Sequence, residues 1–168
     1  NYLQFSPGVA VFALNIAGVK GEHNLRDAAF IYAMSNVILN SVVYSTKTLS
    51  KETRPDGSSD NSFPSGHTAE AFASAEFLRQ EYKNVSPWYG VGGYAAATAT
   101  AYLRMYNNKH WLSDVAAGAG IGILSTKLAY WLYPKIRGDV HKPSVGKTMI
   151  VPAYSNHVAS LALVKTFN

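Results

Sequence analysis

Three groups of charged and imidazole-bearing residues follow one another along the chain: Lys47 and Arg54 before Pro55, then Pro64-Ser65-Gly66-His67, then Arg104, His110 and Asp114. Singly, each is weak. A lysine and an arginine at this distance usually make a solvated helix face, and a Pro-Ser-Gly turn is common punctuation. A histidine four residues before an aspartate can be a satisfied core pair. Together and in this order they suit phosphate chemistry. His110 and Asp114 are spaced to share one helix face. The carboxylate can then accept the imidazole Nδ1–H, fix the tautomer and leave the Nε2 lone pair outward, as a nucleophile needs. Ser65, Gly66 and His67 fall at an expected helix start, where free N–H groups and the positive dipole end favour an anion. Gly66 lets the backbone approach an oxyanion closely. Arg54 offers a planar fork for two phosphate oxygens and Lys47 a compact point charge. Arg104 lies across a short Tyr-Asn-Asn loop from His110 and can swing over the same site.

Helices must position these groups. Asn24 or Asp27 can cap a helix running to about Thr46. Ser65 can cap one through Glu81, with Phe72, Ala75 and Leu78 on an inward stripe. A third is expected from Trp88 or Tyr89 to Tyr106, and a fourth from Trp111 or Ser113, ended by Pro134. Pro55 is expected to stop a helix carrying both Lys47 and Arg54. Residues 55–64 are a polar, turn-rich loop, in which Asp60 could influence His67. Gly118 and Gly122 fall on one helix face and allow close packing. After Gly138 two short Val- and aromatic-containing segments, Thr148–Tyr154 and Val158–Phe167, fit a weak hairpin or extended tail. The expected fold is all-α: one domain over residues 1–168, a compact helical bundle to about residue 134 with a short C-terminal extended or hairpin tail from about 138.

Composition narrows the class. The 168 residues are 48% hydrophobic and 15% charged, with a net charge of +5 and no cysteine. That is enough apolar material for a core, and it excludes disulfides, zinc–thiolate sites and thiol nucleophiles. The basic residues are scattered, with no basic run interleaved with aromatics, so nucleic acid is not an expected partner. The apolar stretches Phe5–Val19, Ala28–Tyr44, Tyr89–Leu103 and Val115–Tyr133 all fall short of a clean run of about 20 residues. They read as buried helices of a soluble bundle, with membrane-spanning helices as the alternative. His23, His141 and His157 lack partners at motif spacing and read as structural or surface residues. The first residue is Asn1 rather than Met, so an upstream segment is expected.

The segments K-T-L-S-K-E-T-R-P, P-S-G-H and R-M-Y-N-N-K-H-W-L-S-D resemble the three-part signature of the type 2 phosphatidic acid phosphatase superfamily. That group includes membrane lipid phosphatases, bacterial soluble acid phosphatases and vanadium haloperoxidases. The resemblance runs from Lys47 to Asp114. It implies that His110 attacks phosphorus to form a phosphohistidine, that Asp114 orients His110, and that His67 protonates the leaving alkoxide and then activates water. Lys47, Arg54, Ser65, Gly66 and Arg104 would hold the phosphoryl oxygens. It further implies a phosphate-ester substrate, lipid or otherwise, no metal or other cofactor, and a bacterial periplasmic or cell-envelope location, soluble or at a membrane surface. Two departures stand out. Leu103 replaces the usual serine before the arginine, and the Pro55–Pro64 connection is short, implying a small lid and an open pocket. Two rivals share the residues. The haloperoxidases that the signature resembles are much longer chains. A non-catalytic phosphate- or lipid-binding module would not need His67, His110 and Asp114 all intact.

Overall fold

The computed structural model describes residues 2–138, 148–155 and 158–165. Five α-helices follow a short 3-10 turn at Leu3–Phe5: α1 (Ser6–Ile16), α2 (Leu25–Ser50), α3 (Gly66–Tyr82), α4 (Pro87–Tyr106) and α5 (Leu112–Arg137). Two strands, β1 (Thr148–Ser155) and β2 (Val158–Lys165), pair antiparallel with Ser155 opposite Val158. The chain divides into two compact units, Asn1–Leu132 and Tyr133–Asn168. The expected all-α class holds.

Helix starts follow side-chain chemistry. The Asn24 side chain accepts from the Asp27 N–H, Ser65 from Thr68 and Ser86 from Trp88, each satisfying an otherwise orphaned donor of the first turn. Helix ends depart from expectation. α2 runs on to Ser50 and stops at Lys51, whose φ of 45° is left-handed. Pro55 therefore does not end it, and Arg54 lies in the loop beyond. Pro134 does not end α5 either. It stands within the last turn, where the missing N–H removes one bond, and the helix closes at Gly138 with φ 72°.

The buried centre is α3, not the apolar helices. Of its 17 residues, 12 are buried, and it contacts α1, α2 and α4. Val11, Ala28, Phe77, Leu78 and Tyr82 form one cluster, Leu39, Val43, Ala69 and Ala73 a second, and Ala71, Ala75 and Ala97 a third. Phe72, expected to face inward with Ala75 and Leu78, is only half-buried. Three buried carboxylates ride on α3, and each has partners. Tyr32 Oη donates to Glu70 at 2.8 Å, Arg79 holds Glu76 through two bonds, and Tyr130 Oη donates to Glu81 at 2.6 Å. His23, read as structural or surface, also lies on Glu81, with Nδ1 2.9 Å from Oε1. His141 and His157 lie outside the described residues.

The two helices long and apolar enough to cross a membrane, α2 and α5, are buried over only 28% and 33% of their apolar windows. Phe30, Val37, Leu124 and Leu128 point outward. This overturns the reading of these stretches as buried helices. Small side chains and paired polar groups fill the centre, while α2 and α5 keep exposed apolar faces.

α5 reaches α3 through its glycines, as their spacing suggested. A Cβ at Gly118 would stand 2.5 Å from the Ser65 carbonyl oxygen, and one at Gly122 would stand 2.1 Å from that of Ala69. Backbone-to-backbone approach at these points seats the start of α5 against the start of α3. Gly120, midway between them in sequence, faces open space. Gly122→Ala is expected to lower stability by about 1–3 kcal/mol through overpacking. Gly120→Ala should be neutral or stabilising by up to about 1 kcal/mol through helix propensity. Thermal unfolding of the two variants checks the contrast.

Candidate active site

Four helix ends converge on one region. Lys47 stands in the last turn of α2 and Arg104 in the last turn of α4, while His67 opens α3 and Asp114 opens α5. His110 precedes α5 rather than riding on it, so the pair does not share a helix face as expected. It meets all the same, because Asp114 folds back over the helix start. His110 Nδ1 lies 3.3 Å from Asp114 Oδ2, with both residues buried. The same oxygen accepts from the Trp111 backbone N–H at 2.9 Å and from the Ser62 hydroxyl in a short bond. The Asp114 carbonyl accepts the Ser65 N–H at 3.0 Å. Asp114 thus fastens the third sequence block to the second through both main chain and side chain.

The connecting loop is tied at both ends. Lys47 Nζ donates to the Asn61 carbonyl at 2.5 Å, Ser50 Oγ to the Phe63 carbonyl at 2.9 Å, and the Ser62 N–H to the Glu52 carbonyl at 2.8 Å. Toward the α4–α5 turn, Lys109 pairs with Asp56 at 2.5 Å and Trp111 Nε1 donates to the Thr53 carbonyl at 3.0 Å. Asp60 accepts from Thr53 Oγ1 at 2.9 Å and, among the described residues, makes no hydrogen bond to His67.

Ser65 is buried, and its Oγ accepts from the Thr68 hydroxyl at 2.9 Å and the Thr68 N–H at 3.4 Å. It caps α3 while keeping its own hydroxyl proton to donate. At Gly66 a Cβ would meet only Val43 Cγ1, at an ordinary 3.6 Å, so protein packing does not demand glycine there. Among the described residues, the Nε groups of Arg54 and Arg104 are buried without a hydrogen-bond partner, as is Asp114 Oδ1. Two buried guanidinium donors left unmatched by protein acceptors are a cost, unless an anion completes them.

The electrostatics agree with a gathered cluster. Burial pushes the His110 imidazole down to about 4, against the raising effect of its Asp114 bond and with help from the Lys47 and Arg104 charges. His67 is also held below its ordinary value, first by burial and then by Arg104, with Arg54 and Lys47 adding to it. His110 is neutral at pH 7, with its Asp114-held Nδ1 leaving Nε2 free to bond elsewhere. Among the described residues, no group of three His, Cys, Asp or Glu side chains is placed to hold a metal ion.

The model of the PAP2 superfamily matches residues 25–137, well over half the chain. The chain belongs to the PAP2 superfamily. It is 40% identical over 140 residues to a lipid A 1-phosphatase of Porphyromonas gingivalis, covering 83% of this chain and 32% of that protein. It is 38% identical over 77 residues to the bacitracin transport permease protein BcrC of Bacillus licheniformis, covering 46% of this chain and 36% of that one. The chain therefore spans about a third of the length of these curated relatives. Among solved structures it resembles Aquifex aeolicus LpxE, with a TM-score of 0.56 and 25% identity over 78% of each chain. The PAP2 fold accounts for the convergence of the three sequence blocks on one end of α3.

Sequence reasoning missed two contributors to the PAP2 site, Ser62 and the Trp111 N–H. Ser62 is fully buried, yet it sits in a run of polar loop residues with nothing to mark it out. Ser62→Ala is expected to cost about 1.5–3 kcal/mol, the worth of a buried hydrogen bond to a charged acceptor. Denaturant unfolding checks this, and an unchanged midpoint would show that Asp114 does not rely on that donor.

Proposed function

We propose that this chain is a metal-independent phosphatase domain that hydrolyses phosphate monoesters of lipids through a phosphohistidine on His110, in a bacterial cell envelope. The observation that carries the reading is the set of three cations, Lys47, Arg54 and Arg104, around His110 and His67, with both arginine Nε groups buried and unmatched by protein. Two further facts support the lipid part. The outer faces of α2 and α5 are apolar and exposed, and one similar protein is a lipid A 1-phosphatase. With α2 and α5 in or against a bilayer, the helix ends bearing the site lie at one lipid–water boundary. At 26 residues each helix is about 39 Å long, enough to cross a hydrocarbon core of about 30 Å.

The reaction follows from the arrangement. The phosphoryl group sits between the Arg54 and Arg104 forks, the Lys47 ammonium and the first N–H groups of α3. His110 Nε2 attacks phosphorus in line, forming a P–N bond as the ester P–O bond breaks. His67, protonated, delivers its proton to the departing oxygen. Asp114 stabilises the positive charge that His110 acquires, because its Oδ2 already holds Nδ1–H. Neutral His67 then takes a proton from water, the hydroxide attacks phosphorus and the P–N bond breaks, releasing inorganic phosphate and restoring His110. Fixed cations stabilise the transferring charge, and most of the rate comes from placement and electrostatics.

Hydrolysis of an aryl phosphate and of a phosphorylated lipid in mixed micelles tests this. Activity should persist in excess chelator, disappear in His110→Ala, fall by about 10²–10⁴-fold in His67→Ala, and be inhibited by vanadate. Loss of activity with chelator, or full activity in His110→Ala, would contradict the reading.

The pH dependence has a defined sign. His110 must be neutral to attack, so the acidic limb of kcat/KM should fall near its depressed value of about 4. His67 must carry a proton, and its value lies below 6.5, so activity should decline as pH rises past it. An acid optimum between these limits is expected, and a profile still rising above pH 7 would contradict the assignment. Stability shares the first limb. A histidine whose folded value is below its unfolded one loses stabilisation as pH falls from about 6.5 toward 4.

A further inference from the structure

Arg54 is held against its own electrostatics. It stands in the loop after α2, half-buried, with its Nε unmatched by protein. Its charge bears on Arg104, which is held below its ordinary value first by burial and then by Arg54. Like charges gathered in this way repel one another. An arginine on a loop can relieve that repulsion by turning out to water, unless the loop is fixed from outside the cluster.

The loop is fixed on both sides of Arg54. Before it, the Thr53 carbonyl accepts from Trp111 Nε1 at 3.0 Å. After it, Asp56 pairs with the Lys109 ammonium at 2.5 Å, and the Asp56 N–H donates to the Asn108 carbonyl at 3.2 Å. The Arg54 main chain is closed within the loop. Its N–H donates to the Ser59 carbonyl and its carbonyl accepts from the Gly57 N–H, both at 2.9 Å. The three outside partners, Asn108, Lys109 and Trp111, all lie in the turn between α4 and α5, on either side of His110. The Lys109 N–H bonds back to the Arg104 carbonyl at 3.0 Å. The loop that carries one guanidinium is thus fastened to the segment that carries the other.

Resting on the phosphatase reading above, we propose that Lys109, acting through Asp56, is a positioning residue for Arg54: it latches the loop to the α4–α5 turn, so that the Arg54 and Arg104 forks keep one spacing before the phosphoryl group arrives. The gain is preorganisation. A guanidinium already in place loses less freedom on binding, and its fork meets the phosphate oxygens at a fixed angle. The latch also suits an acid-working site. The Asp56 carboxyl is held well below the usual carboxylate range, first by the Lys109 bond and then by the Ser58 hydroxyl and N–H. The pair therefore stays charged over the whole range in which His110 is neutral and His67 protonated. Lys109 and Asp56 are 37% and 24% exposed, so either can be changed without opening the core.

The test is calorimetric binding of vanadate to the purified full chain, together with kcat and KM for an aryl phosphate. Lys109→Met and Asp56→Asn are each expected to weaken vanadate binding and lower kcat/KM by about two- to fivefold, the scale of one partly exposed ion pair. Lys109→Arg keeps the charge and should match the wild type. The double variant Lys109→Met, Asp56→Asn should lose no more than either single one, since both open the same latch. In an Arg54→Ala background, Lys109→Met should weaken vanadate binding no further, a result that general destabilisation would not give. Should one variant not fold, the other decides. Unchanged vanadate binding in Lys109→Met and Asp56→Asn, a Lys109→Arg protein no better than Lys109→Met, or the same loss persisting without Arg54 would overturn the latch. A wild type that neither binds vanadate nor hydrolyses the ester would instead sink the phosphatase reading on which it rests.

Discussion

A single buried carboxylate, Asp114, holds the site together. Its Oδ2 accepts from Ser62, Trp111 and His110, and its carbonyl from the Ser65 N–H. A buried charge is tolerated only when its hydrogen bonds are made, and making these bonds fixes three stretches of chain at once. Ser62 brings in the loop that Lys47 grips from α2, and Ser65 brings in the start of α3. Trp111 and His110 set the entry to α5. His110, the start of α3 and, through the loop, Lys47 are therefore positioned by satisfying one acidic group, and a shift at any of them is felt by the rest.

Packing explains why that carboxylate can be reached. Gly118 and Gly122 let α5 lie on the backbone of α3, so the first turn of one helix stands beside the first turn of the other. Two helix N-termini and the basic last turns of α2 and α4 then meet at one end of the bundle, a sum of charge and dipole suited to an anion. The same arrangement leaves the outer faces of α2 and α5 apolar. Polar α3 lies inside with its acids paired, and the more apolar helices keep much of their surface outside. The convergence of the three blocks and the apolar outer faces of α2 and α5 are thus consequences of one packing order.

The three blocks, the caps at Asn24 and Ser65, and the close contact at Gly118 and Gly122 were legible in the sequence. Each depends on local spacing or on a side chain bonding its own turn. Burial was not legible. α3 reads as less apolar than α2, and only tertiary partners such as Tyr32, Arg79 and Tyr130 make its three glutamates fit for an interior. Ser62 was hidden for the same reason, since its partner lies 52 residues away. Helix ends misled where a proline suggested a stop. At Pro134 the loss of one donor in a last turn was too small to break the helix. At Pro55 the left-handed Lys51 had already ended it. The hydroxyl-rich loop gave no sign of how tightly Thr53, Asp56 and Glu52 would fasten it.

The central claim is covalent: phosphorus becomes bonded to a ring nitrogen of His110. The most direct measurement is to mix the protein with a radiolabelled phosphate monoester, quench in base within milliseconds to seconds, and map the protein-bound label. Phosphoramidate bonds survive base and are lost in acid. The expected result is base-stable, acid-labile label on the peptide containing His110, accumulating further in His67→Ala, where breakdown is slowed. Turnover with no protein-bound label in that variant, or label on any other residue, would contradict the account.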